Sequence, residues 1–347
     1  MLPVIWFCIV AVLVAIYVVL DGFDIGAGII HLCVARNAAE RRVILKSIGP
    51  VWDGNEVWLL TGGGVLYFAF PALYASAFSG FYLPLMMVLW LLILRGIAIE
   101  FRNQISNALW TPFWDVVFSL ASGLLAIFFG AALGNVVRGV PMDGNHEFFL
   151  PLWTNFLPGK DPGILDWYTV LVGLFAFFTL ALHGALWVSL KTEAELQLRA
   201  RRVARIAWMA VVLFTVIVTS ASFSVQPHLA ASFAAMPFGY VFPALALAGL
   251  SGSIWFLLRR KDGSAFLSSC LYIVGMLTSV VFGVFPDVLP SNGDPNLSLT
   301  IVNAAAPDYG LSVGLAWFVP GILLVVAYFT FVYRKFAGKV NLEGGGH

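Results

Sequence analysis

Seven ionisable side chains lie where hydrocarbon is expected: Asp21, Asp24, Asp53, Glu56, Arg95, Glu100 and Asp115 fall inside or at the edges of long apolar runs. A charge in a bilayer is costly, so residues of this kind are the first candidates for chemistry. Asp21 and Asp24 are three apart, as are Asp53 and Glu56, which puts each pair on one face of a helix. Asp53 and Glu56 follow Pro50 near a helix start, where the helix dipole favours negative charge. Asp21 and Asp24 occupy a C-terminal half, where the dipole opposes them. They need a nearby cation or must take up protons. Arg95, near the end of another apolar run, is the best intramembrane partner. Three readings stay open. One is an assembly lock, a buried ion-pair network that fixes how the first four helices pack. Another is a proton path open to the cytoplasm, in which clustered carboxylates pass protons at membrane depth. The third, a metal site, is weakened because no pair of histidines accompanies the acids.

The elements that position these groups follow from composition. Of 347 residues, 61% are hydrophobic and 11% charged; a soluble domain has about a quarter charged. The surrounding medium is therefore largely lipid. A net charge of +1 argues against nucleic acid as a partner. Cys8, Cys33 and Cys270 lie far apart, read as buried inert thiols and support no zinc site. The first residues, Met-Leu-Pro-Val-Ile-Trp-Phe, lack a basic segment and a cleavage site, so they read as the start of a span.

Since about 20 apolar residues cross a bilayer, nine spans are expected, near 4–30, 50–72, 78–99, 114–136, 166–190, 206–226, 237–258, 265–285 and 311–333. Lys and Arg mark cytoplasmic loops. With the N-terminus outside and the C-terminus cytoplasmic, all 19 except Arg138 and Lys160 fall on the cytoplasmic side. Adding or removing one span would scramble that segregation. The expected fold is thus an all-α polytopic membrane protein, a single membrane domain over 1–347. The outer connections carry acids without basic partners, including Asp143, Glu147, Asp161, Asp166, Asp287, Asp294 and Asp308. The stretch 139–165, with Trp153 and several Pro and Gly, reads as an ordered outer loop.

The segment VARNAAERRVILKSIGPVW after span 1 resembles SLKTEAELQLRARRVARIAW after span 5. That similarity fits two four-helix bundles plus one peripheral helix, and it equally fits the general basicity of cytoplasmic loops. Gly22, Gly26 and Gly28, and the run Gly62 to Gly64, point to close helix approach. Among the histidines, His31 ends span 1 and His183 lies inside span 5, while His146 and His228 lie in or near outer loops. A haem could take one as an axial ligand; for His183 a packing role is the plainer reading. His347, in a terminal Gly-Gly-Gly-His, is given no role.

The runs DGFDIGAG (21–28), GPVWDGNEVWLLTGGG (49–64), AFSGFYLPL (77–85), RGIAIEFR (95–102) and LHGALWVSLKTEAEL (182–196) resemble subunit II of cytochrome bd-type quinol oxidases in order and spacing. Beyond about residue 200 the resemblance is one of topology more than motif. It implies a multi-pass protein of the bacterial inner membrane, paired with a homologous subunit I that carries two b haems, one haem d and the quinol-oxidising loop. Together such subunits oxidise quinol at the outer face and reduce oxygen to water with cytoplasmic protons, electrogenically and without pumping. Subunit II would support haem assembly, contribute a hydrophilic channel from the cytoplasm, and hold neither haem nor metal itself.

The family's polar motif positions fall on Asp24, Asp53, Arg95 and Asp115, with Trp52 at the motif tryptophan, Glu56 in the acid form of its position, and Gly54, Asn55 and His183 as structural motif residues. Lipid, a structural quinone and small single-helix subunits are further partners that the resemblance brings into view. From other functional classes, an ion-coupled secondary transporter and a purely structural membrane subunit remain as alternatives. The charges lie nearer one face than a transporter's midplane site would, and no matched pair of broken spans appears.

Overall fold

A chain in hydrocarbon must pair every backbone N–H and C=O internally, and the long apolar runs accordingly form helices. The computed structural model describes residues 1–105, 107–159 and 161–340; Lys160 and His347 lie outside the described residues. The helices are α1 (Leu2–Val34), α2 (Ala38–Ile48), α3 (Trp52–Ala69), α4 (Pro71–Gly80), α5 (Tyr82–Phe101) and α6 (Trp110–Arg138), then α7 (Trp167–Lys191), α8 (Ala194–Val225), α9 (His228–Ala235), α10 (Val241–Leu258), α11 (Asp262–Val284) and α12 (Asp308–Lys335). Between α11 and α12, a short antiparallel ribbon pairs β1 (Asp287–Leu289) with β2 (Leu299–Thr300), Leu289 opposite Leu299.

Among the described residues, eight helices are long and apolar enough to cross a membrane: α1, α5, α6, α7, α8, α10 with its preceding turn, α11 and α12. The remaining expected span, 50–72, coincides with α3, whose first turns carry Asp53, Asn55 and Glu56 and so lower its mean hydropathy. Three short helices are additional to the expected spans. The first, α2, is capped by Asn37, whose side chain accepts from the Glu40 amide at 2.9 Å, and it ends at Gly49. Proline punctuates the other two, Pro71 opening α4 and Pro227 capping α9. Residue 206 was the expected start of a span, but α8 starts at Ala194. Hydropathy marks where a helix enters lipid, whereas its hydrogen bonding runs on through the arginine-rich stretch into water.

The central helix, α1, packs on α3, α6, α7 and α11. Its contact with α7 is backbone to backbone: a Cβ on Gly26 would lie 2.0 Å from the Leu180 carbonyl oxygen, and one on Gly184 would lie 2.1 Å from the Gly26 carbonyl carbon. Only a residue without a side chain fits there. In the Gly62 to Gly64 run, Gly62 is buried and a Cβ there would meet Val14 of α1 at 3.9 Å, but the expectation is corrected for the other two. Gly63 and Gly64 have no neighbour within 4 Å, because they lie on the outward face of α3. The cysteines are also corrected: Cys8 and Cys33 are exposed, on faces of α1 turned away from the bundle, and Cys270 of α11 is half-buried. On the outside of the bundle, α12 has Leu311 as its one buried residue.

Candidate functional site

Burial sorts the polar residues into two tiers. In the first, α1 presents Asp21 and Asp24, α3 presents Asn55 and Glu56, and α5 presents Arg95. Asp21, Asp24, Asn55 and Arg95 are fully buried. The Arg95 fork grips Asp21, with Nη1 donating to Oδ1 at 2.6 Å and Nη2 to Oδ2 at 3.0 Å. A second acid, Glu56, approaches Arg95 Nη2 at 3.5 Å. Asp24 takes a different partner: Asn55 Nδ2 donates to its Oδ2 at 2.7 Å. The Asn55 carbonyl oxygen accepts from the Tyr333 hydroxyl on α12 at 2.8 Å. Asp24 Oδ1 and the Tyr17 hydroxyl are buried without a hydrogen-bond partner among the described residues. Asp21 and Glu56 flank the one guanidinium, and Asp24 is buried without a cation in contact, so ionisation of all three leaves a surplus of negative charge that the buried part of the site tolerates poorly.

Asp53 departs from the expectation that it shares this cluster. It is exposed, because the helical step from Asn55 turns it away from α1. It lines the rim of a cleft of about 540 Å³ at the α2–α3 break, together with Trp52, Gly54, Glu100, Tyr328 and Tyr333. Tyr333 thus belongs to both the cleft and the buried chain of hydrogen bonds. Sequence reasoning missed it, as it missed Tyr17. An aromatic hydroxyl in an apolar helix carries no signal of its own, and the contact joins residues 278 apart.

The second tier is built on Asp115, and this separates it from Asp24, Asp53 and Arg95, with which it was expected. Arg102 donates to its carboxylate through Nε at 2.5 Å and Nη2 at 3.2 Å, Arg41 Nη1 at 3.1 Å, and His31 Nε2 lies 2.7 Å from Oδ1. The separation follows from helix geometry. Arg102 follows Arg95 by seven residues, and His31 follows Asp24 by seven, which is two turns and about 10 Å on the same face. This tier ties α1, α2 and α6 to the end of α5.

His183 is buried, with Nε2 at 2.9 Å from the Val19 carbonyl and Nδ1 at 2.8 Å from the Ser269 hydroxyl, and its ring stacks on Phe266 at 4.8 Å. The carbonyl can only accept, so Nε2 carries the proton. Both ring nitrogens are engaged, as a packing histidine requires. Among the described residues, no group of three or more His, Cys, Asp or Glu side chains is arranged to hold a metal ion.

At the other end of the bundle, Arg138 pairs with Asp166 and donates to the Gly163 carbonyl at 3.0 Å. Asp166 therefore has a basic partner after all, and it also caps α7, accepting from the Thr169 amide at 2.9 Å. The two residues lie far apart in sequence across a loop, which is why the pair was not legible.

A family model described as cytochrome bd terminal oxidase subunit II matches residues 2–336. Among curated proteins, the chain is similar to the cytochrome bd-I ubiquinol oxidase subunit 2 of Escherichia coli, at 31% identity over 98% of this chain and 95% of that protein. It is similar to the cytochrome bd ubiquinol oxidase subunit 2 of Bacillus subtilis at 30% identity, over 95% of each. Among solved structures, a chain of the bd oxidase from Geobacillus thermodenitrificans shares the fold, with a TM-score of 0.74 and 17% identity over 96% of this chain and 98% of that one.

Proposed function

The chain belongs to the cytochrome bd terminal oxidase subunit II family, and on that premise we propose that it carries protons from the cytoplasm toward the oxygen-reducing site while holding no haem of its own. It is a multi-pass protein of the bacterial inner membrane and subunit II of a bd-type terminal oxidase, an oxidoreductase complex that contains haem and a partner subunit I. In this reading subunit I supplies both b haems, haem d and the quinol site. Quinol is the reductant and oxygen becomes water. Small single-helix subunits, lipid and a structural quinone fit around the outer faces of the bundle.

In the same reading α3 is the ninth span. Its 18 residues reach about 27 Å, close to the ~30 Å of hydrocarbon. The basic loops then place the N-terminus outside and the cleft on the cytoplasmic side. Helices α1 to α6 and α7 to α11 supply the two four-helix bundles, with α12 peripheral.

One observation carries the proton reading: the hydrogen-bonded chain from Tyr333 through Asn55 to Asp24, which connects the cleft at Asp53 and Glu100 with a buried carboxyl group. Tyr333 and the carboxyls can exchange protons, and Asn55 orients them. The assembly reading has its own support in Asp21, which the Arg95 fork holds from two sides. Lock and path thus fall on different residues: within the buried cluster Asp21 and Arg95 brace the helices while Asp24 and Glu56 handle protons, and Asp53 serves at the rim of the cleft. Asp115, gripped by two arginines and a histidine, belongs with the brace. Oxygen consumption by the Asp53→Asn complex, measured together with its haem content, tests this. Slow turnover with normal haem supports a path, and lost haem supports a lock at that residue. Unchanged respiration removes Asp53 from both.

A further inference from the structure

The connection between α6 and α7 contains an uncharged stretch, Phe-Phe-Leu-Pro-Leu-Trp-Thr-Asn-Phe-Leu-Pro-Gly at 148–159. Part of it is anchored: Phe148 and Leu150 pack into a core with Trp6 and Phe70. The rest points away from the protein. Phe149 is 66% exposed, Trp153 64%, Phe156 44% and Leu157 56%.

This exposure is imposed by a well-tied backbone. The Leu165 amide donates to the Leu152 carbonyl at 3.0 Å, Thr154 Oγ1 to the Asp161 carbonyl at 2.9 Å, and Asn292 Nδ2 to the Gly159 carbonyl at 3.1 Å. Phe156 is held at φ +62°, a region that bulky residues rarely adopt. The Trp153 and Phe156 rings lie 6.1 Å apart. Local hydrogen bonds therefore hold aromatic rings outward at a cost in backbone conformation.

The depth of the patch is fixed by its neighbour. The Trp167 amide donates to the Phe156 carbonyl at 3.2 Å, and Trp167 is the exposed first residue of the spanning helix α7. An uncharged aromatic surface level with the end of a span meets the boundary between headgroups and acyl chains, where Trp and Phe partition favourably. The same connection has a water-facing part, in which Asp143 and Glu147 are exposed and no large apolar side chain is. We infer that residues 148–159 seat as a wedge in the membrane interface, with Trp153, Phe156 and Leu157 in lipid and residues 143–147 in water. The inference rests on the membrane reading of α6 and α7 and is independent of the proton path.

The test uses the assembled oxidase in nanodiscs of phosphatidylcholine and phosphatidylglycerol. Cys8, Cys33 and Cys270 are replaced by Ser, and an NBD fluorophore is attached at Trp153→Cys, Leu157→Cys or Asn145→Cys, with labelling of the cysteine-free chain subtracted. Labels at 153 and 157 should be quenched several-fold more by a shallow doxyl lipid than the label at 145, and several-fold less by aqueous iodide. Iodide quenching at 153 and 157 equal to that at 145 would make the segment a solvent loop. Shielding from both quenchers would mean that protein covers it. Either result overturns the wedge, and two labelled sites guard against one variant failing to fold.

Discussion

The hydroxyl of Tyr333 donates to the side-chain carbonyl of Asn55 at 2.8 Å, joining the peripheral helix α12 to the buried Asp24 carboxyl group of α1 through a single amide. Because Tyr333 also lines the cleft, its hydroxyl is the last exchangeable group on the cleft side of Asn55. Tyr333→Phe removes that group with little change in shape, at a cost of about 1 kcal/mol in stability. Turnover should fall several-fold while haem content stays normal. Parallel oxygen-electrode and haem-absorbance measurements check this, and equal loss of both would assign Tyr333 to packing alone.

Asp21 and Arg95 form a buried, two-bonded ion pair, the core of the proposed brace. Breaking a buried pair by removing one partner strands the other charge, at about 3–5 kcal/mol. Asp21→Asn should therefore lower the yield of haem-loaded complex more than the rate per assembled complex. The double change Asp21→Leu with Arg95→Met, which removes both charges, should recover much of the yield. Size-exclusion chromatography of the detergent-extracted complex distinguishes the two variants.

Much of this arrangement was legible in the sequence, and the reasons for the remainder are specific. Hydropathy located the eight long apolar helices because lipid imposes a minimum apolar length, and i,i+3 spacing placed Asp21 with Asp24 on one face. The separation of Asp115 from Asp24 was also encoded, in the seven-residue steps from Arg95 to Arg102 and from Asp24 to His31, but those steps gain meaning only once α1 and α5 are known to be neighbours. Tyr333 and the Arg138–Asp166 pair depend on contacts between distant segments, which periodicity cannot reveal. The short helices α4 and α9 were hidden because proline breaks are visible while the helices beyond them are too short to register a period.

The α1–α7 crossing leaves no room at Gly184. Gly184→Leu would drive a side chain into the Gly26 backbone, where a Cβ alone would lie at 2.1 Å. Overpacking of this kind costs about 1–3 kcal/mol or more. Because two helix backbones must part, no assembled protein is expected. Gly63→Leu is the control, since nothing lies within 4 Å of that position; expression and monodispersity of the two variants should diverge.

At the basic end of the bundle, Glu40 of α2 pairs with Arg199 of α8 at 2.5 Å. Partial burial pushes the Glu40 carboxyl up, but the Arg36 amide and the Arg199 guanidinium outweigh it and hold the group below its ordinary value. A lowered acid contributes stability above its unfolded-state value of about 4.3, and that contribution is lost as pH falls through the lower folded value. The pair is partly exposed, so it is worth about 1 kcal/mol or less. Protection of the α2 amides, referred to the intrinsic exchange rate at each pH, should fall as pH drops through the lowered Glu40 range, and Arg199→Ala should reduce that protection at neutral pH.

The isolated chain should bind no haem, since His183 has both ring nitrogens engaged and His31 Nε2 is committed to Asp115. Absorbance of the chain purified without subunit I checks this, and a stoichiometric Soret band would overturn it.

The most direct measurement is proton uptake from the cytoplasmic side during oxygen reduction, followed with a pH dye in proteoliposomes holding the Asp24→Asn complex. Uptake several-fold slower than in the unaltered complex, at equal haem content, is the predicted result. Uptake at the unaltered rate with full haem would contradict a proton-carrying role for Asp24.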